Sequence, residues 1–211
     1  MKTRDGWRRL GRPLVSAAVG GLVAWFAFVA DRPVPVLDWF DLGVHEAGHL
    51  LAAWLPRLAM FLAGSVVQVA FPLFIAGYFW ARARDAAASG FCLAWAGASA
   101  WDVSVYAGDA VSQSLPLVGG GEHDWAYILG PHGFDALHLT GSVAGFIEFS
   151  GAVMAVLGIG IALKSAAAGI SRAPSTISRV PPPARTSLAV TPHDGDPWLA
   201  AAALPFRHAA D

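Results

Sequence analysis

His45-Glu46-Ala47-Gly48-His49 sets a glutamate between two histidines that stand four residues apart. On a helix that spacing puts both imidazoles on one face, one turn from each other. They can then share one tetrahedral zinc ion. Glu46, beside the first histidine, can reach a water next to the metal and act as general base, because zinc brings the pKa of such a water toward neutrality. Gly48 leaves room there for backbone or substrate. All three ionisable groups lie in an otherwise apolar segment, where such groups are costly and usually functional.

A catalytic zinc needs a third protein ligand. Trp95, Ser99, Asp102, Tyr106 and Asp109 follow spacings of four, three, four and three, so they share one helical stripe. Asp102 and His49 each lie about ten residues, or about 15 Å, from the outer end of their segments. That matched depth makes Asp102 the leading intramembrane ligand, with Asp109 nearer the surface. The run from Gly119 to Trp125 is a rival, since it holds Glu122, His123 and Asp124, and His123 could complete the site directly. Glu148, inside the last apolar stretch, could orient a ligating histidine or pair with another polar group. His132, Asp135 and His138 read as interfacial residues. Gln68 reads as an interhelical hydrogen bond, and Gly64, Ser65, Gly97, Gly151 and Gly158 as packing.

The elements that must position these groups follow from composition. Hydrophobic residues make up 55% of the 211 and charged residues 14%, against about 25% charged in an average soluble domain. The formal net charge of −1 offers no basic footprint for nucleic acid. Nine tryptophans and twelve phenylalanines suit membrane interfaces as well as packed cores. Cys92 is the single cysteine, so neither an internal disulfide nor a cysteine-rich zinc site can form.

Residues 1–12 form a basic leader with Lys2, Arg4, Arg8, Arg9 and Arg12. The uncharged stretch 13–30 reads as a retained anchor rather than a cleaved signal, since Phe28 would sit where cleavage wants a small residue. Further apolar segments are expected at 40–54 (with the motif), 58–80, 86–111 and 139–163, and a polar loop at 112–138. Residues 13–163 thus form a transmembrane domain. Residues 164–211 are rich in Ala, Ser and Pro, and read as a disordered tail that holds His193 and His208. Basic residues flanking the segments fall on the cytoplasmic side if the short motif segment dips into the bilayer and returns. The expectation is therefore all-α: a multi-pass transmembrane helical bundle of four full spans plus a partial or full motif-bearing helix. Its N-terminus would be cytoplasmic, in what reads as a bacterial cytoplasmic membrane.

A His-Glu-x-x-His motif in an apolar segment, followed by an aspartate on a later one, resembles the site-2 protease type of intramembrane zinc metalloprotease. The resemblance covers roughly residues 40–111 and is that of a distant, minimal relative, with Asp102 in a Trp101-Asp102-Val103 context. It implies zinc on His45 and His49, Glu46 as catalytic base, and Asp102 as the later aspartate. The expected activity is zinc-dependent hydrolysis of a membrane-spanning or membrane-adjacent peptide. Competing readings are a zinc lipid amide or ester hydrolase, a metal-ion or proton transporter or sensor, and a structural protein that keeps a relic of the motif.

Overall fold

The computed structural model describes residues 10–117 and 121–171. Six α-helices account for most of them: α1 (Arg12–Phe28), α2 (Leu37–Leu51), α3 (Arg57–Ala81), α4 (Ala86–Gly108), α5 (Asp124–Leu129) and α6 (Thr140–Ser171). A single 3-10 turn, Leu137–Leu139, leads into α6. The chain is all-α, with no strand among the described residues.

Helix starts and stops follow local chemistry. Pro13 opens α1, where a missing N–H costs nothing. Pro56 precedes α3, and Asp85 caps α4 by accepting the Ala88 amide at 3.1 Å. The segments expected at 58–80 and 86–111 become α3 and α4 with ends shifted by a few residues. The motif segment begins earlier than expected, at Leu37, and ends at Leu51. The last helix continues past Leu163 and Lys164 to Ser171, so the tail cannot begin at residue 164. The leader up to residue 9 and the tail from residue 172, with His193 and His208, lie outside the described residues.

Helix α4 is central, packed by α6, α3 and α1. Its core face is built from Ala, Gly and Ser, which lets backbones come close. A Cβ on Gly90 would stand 2.5 Å from the Gly158 carbonyl oxygen, and one on Gly97 2.5 Å from that of Gly151. Numbers rise along α4 as they fall along α6, so the two helices are antiparallel. On the other side α2 folds back on α3 as a tight antiparallel pair. There a Cβ on Gly48 would meet the Ala63 carbonyl oxygen at 2.5 Å.

Two helical segments are long and apolar enough to cross a bilayer: Arg57–Ala81 and Leu137–Ser171. Both turn large apolar side chains outward, among them Phe74, Tyr78 and Trp80 on α3 and Phe146, Phe149 and Val156 on α6. Helix α2, with 15 residues, is about 22 Å long at 1.5 Å per residue. That falls short of the roughly 30 Å hydrocarbon core.

Candidate metal centre

The 3.6-residue repeat of α2 turns Asp41, His45 and Gly48 inward. His45 is buried and His49 partly so. Each imidazole is oriented from behind. His49 Nδ1–H donates to the Met60 carbonyl oxygen at 2.9 Å. His45 Nδ1–H donates to Gln68 Oε1 at 2.9 Å, while the Gln68 amide nitrogen donates to Asp102 Oδ2 at 2.6 Å. With both Nδ1 atoms engaged, both Nε2 atoms point to a single carboxylate oxygen. Asp124 Oδ2 lies 2.9 Å from His45 Nε2 and 3.0 Å from His49 Nε2.

The ligating atoms of His45, His49 and Asp124 all lie within 4.8 Å of one another. Acceptors that converge need a proton or a cation between them. This donor set fits a divalent ion. Two imidazole nitrogens and a carboxylate oxygen form the protein half of a catalytic zinc site that keeps a coordination position open. The same donors also suit other divalent transition metals.

Asp124 owes its place to the segment that carries it. His123 caps α5, its Nδ1 accepting the Ala126 amide at 3.2 Å. The ring proton is thereby left on Nε2, which is buried and 3.4 Å from Asp109 Oδ2. Asp109 in turn accepts from Ser112, Ser114 and the Leu115 amide. Burial pushes its carboxyl up, but these hydrogen bonds prevail and hold it below the usual range. Tyr106 accepts the Asp124 amide at 3.2 Å, and Trp125 donates to Ser65 at 3.1 Å. Outside, Arg57 pairs with Glu122 at 2.6 Å and covers the Tyr127 ring at 4.9 Å. Burial likewise pushes the Asp124 carboxyl up, and the two histidines bring it below its ordinary value.

Among the described residues, the carboxylate that meets both imidazoles is that of Asp124, where the sequence pointed to Asp102, Asp109 or His123. His123 is the residue before Asp124 and caps its helix. Asp102 stands behind His45, one amide removed, and Asp109 anchors the turn at residues 112–115 and faces His123 Nε2. Of the predicted stripe, Asp102 and Tyr106 line the cavity beside the trio, while the rest bonds elsewhere. Trp95 and Ser99 donate to the buried Asp41 carboxylate at 2.9 and 2.7 Å, tying α2 to α4. Glu148 is exposed on α6 between Phe146 and Phe149. His132 stacks on Tyr127 with centroids 6.1 Å apart, and His138 lies in the 3-10 turn. None of these, nor Asp135, belongs to the trio.

Two positions carry more than the sequence suggested. Gly64 is not simple packing: a Cβ there would stand 2.6 Å from His49 Nε2 and 2.7 Å from His45 Nε2. Gln68 bridges two helices as expected, and one of its partners is a metal-facing histidine. Asp41 had no signal of its own, and Asp124 was marked only as one of three metal-capable side chains in the run after the glycines, where His123 was the one favoured.

The trio opens into a cavity of about 610 Å3, which Glu46, Asp102 and Tyr106 also line. Glu46 is exposed and follows His45 directly, so its carboxylate shares the space into which the third ligand projects. No protein family matches the chain, and comparison with curated proteins and with solved structures finds no similar one.

Proposed function

We propose that this chain is a membrane-embedded, metal-dependent hydrolase, with zinc as its metal and a peptide amide as the bond it cleaves. The observation that carries this reading is the convergence of His45 Nε2, His49 Nε2 and Asp124 Oδ2 on a cavity that Glu46 also lines. Zinc held there supplies Lewis acidity toward a carbonyl and toward water. Glu46 takes the proton from the attacking water and hands it to the leaving amine, the general acid–base role its place in the cavity permits. Tyr106 accepts from the Asp124 amide through its oxygen, so its own proton is free to steady an acceptor in the cavity.

The two long apolar helices, α3 and α6, support the membrane half of the proposal. Gly64, which touches both imidazoles, lies seven residues after Arg57, or about 10 Å along α3. Four full spans (α1, α3, α4 and α6) with α2 dipping partway would put the centre in the half of the bilayer away from the start of α1. With a cytoplasmic leader, that is the outer half.

Elemental analysis of detergent-purified protein tests the reading. About one zinc per chain is expected in the wild type, none in His45→Ala, and full zinc with no peptide hydrolysis in Glu46→Gln. Zinc near zero in the wild type after reconstitution would end the proposal. The runner-up, an ion or proton carrier, draws on Asp38, Asp41 and Asp102 around a water-sized pocket beside the main cavity. Ion flux that survives Glu46→Gln, in a protein that never hydrolyses peptide, would favour it.

A further inference from the structure

The walls of the cavity are charged in one sense only. Asp38, Glu46, Asp102, Glu122 and Asp124 line it, and among the described lining residues there is no lysine or arginine. Two of these carboxylates are already answered, Glu122 by Arg57 and Asp102 by the Gln68 amide. Asp124 belongs to the metal, and Glu46 has its proton-transfer task. Asp38 is left over. It sits in the first turn of α2, about two helical turns before His45, beside Trp39 and Leu42 on the same wall. No hydrogen bond or ion pair from the described residues engages its carboxylate. It also borders the water-sized side pocket with Asp41 and Asp102, so like charges lie on its far side.

With a divalent ion in place, the ion and Asp124 sum to about +1, and Glu46 and Asp38 as carboxylates bring the cavity to about −1. A cavity of about 610 Å3 with mostly apolar walls lies in the range that encloses a small ligand or a few residues of extended chain. We infer that the site selects an apolar peptide segment carrying a basic side chain close to the cleaved bond, with Asp38 as the residue that receives the cation. Glutamate-bearing peptides and phosphodiester-bearing lipids are repelled by the same field. This inference rests on the hydrolase reading and names the substrate class of its centre.

The test uses zinc-loaded full-length protein in detergent and three peptide hydroxamates, alike except for a lysine, alanine or glutamate beside the metal-binding group. The lysine compound should bind about tenfold tighter than the alanine one, with the glutamate compound weakest and the spread narrowing as salt is raised. In Asp38→Asn the lysine advantage should fall to about twofold or less while the alanine compound binds as before. Equal binding of the three, or a lysine advantage untouched by Asp38→Asn, overturns the inference and leaves the metal centre standing. If no hydroxamate binds to protein that holds its zinc, the inference and the hydrolase reading fail together.

Discussion

Gly97 and Gly64 both permit a close approach, and the difference in what approaches separates the two halves of this molecule. A Cβ on Gly97 would meet the Gly151 backbone at 2.5 Å, and only parting α4 from α6 could relieve it. A Cβ on Gly64 would meet the tips of two imidazoles at 2.6 and 2.7 Å, and side-chain tips can swing away. One contact belongs to the seam that holds the bundle together, the other to the centre that the bundle holds. The α4–α6 seam is built of small residues. The α2–α3–α5 side is a hydrogen-bonded frame around three inward-facing donors. Fold and metal geometry should therefore be separable by mutation.

The same change, glycine to alanine, is the sharpest way to break that contrast. Gly64→Ala should leave the helical fold intact and weaken metal affinity by about a hundredfold or more, as loss of ligand geometry does. Gly97→Ala should cost about 1–3 kcal/mol of stability through backbone displacement and leave the affinity of the folded fraction unchanged. Thermal unfolding beside metal titration reads both. Equal loss of stability in the two variants would mean that the centre and the seam are one unit. A smaller effect refines the comparison within the centre. Gln68→Leu removes the acceptor behind His45 and should weaken metal binding by about 10–100-fold, with folding little changed. If the affinity holds, His45 is oriented by α2 alone.

Much of this architecture was legible from sequence. Helices α3 and α4 lie close to their expected bounds because Pro56 and the Arg82-Ala83-Arg84-Asp85 link punctuate the apolar runs. The end of α6 was missed because Lys164 looks like a boundary by polarity, while the alanines after it favour helix. At the candidate centre, spacing singled out His45, Glu46 and His49, two of which face Asp124. The approach of Asp124 to both imidazoles was not singled out, for two physical reasons. Helix α5 is six residues long, too short for any periodic pattern. The stripe on α4 was a true signal of an inward polar face, but ligands and the groups that orient ligands both face inward, and periodicity cannot tell them apart. Asp41 went unnoticed because its partners, Trp95 and Ser99, lie on another helix.

In the proposed centre α5 supplies the third ligand and α4 supports His45 through Gln68. Cobalt(II) titration of Asp124→Ala and Asp102→Ala, followed by visible absorption, tests it most directly. Asp124→Ala should show no tight site, and Asp102→Ala should still bind one ion per chain, more weakly than the wild type. The reverse pattern, with binding lost in Asp102→Ala and kept in Asp124→Ala, would contradict it.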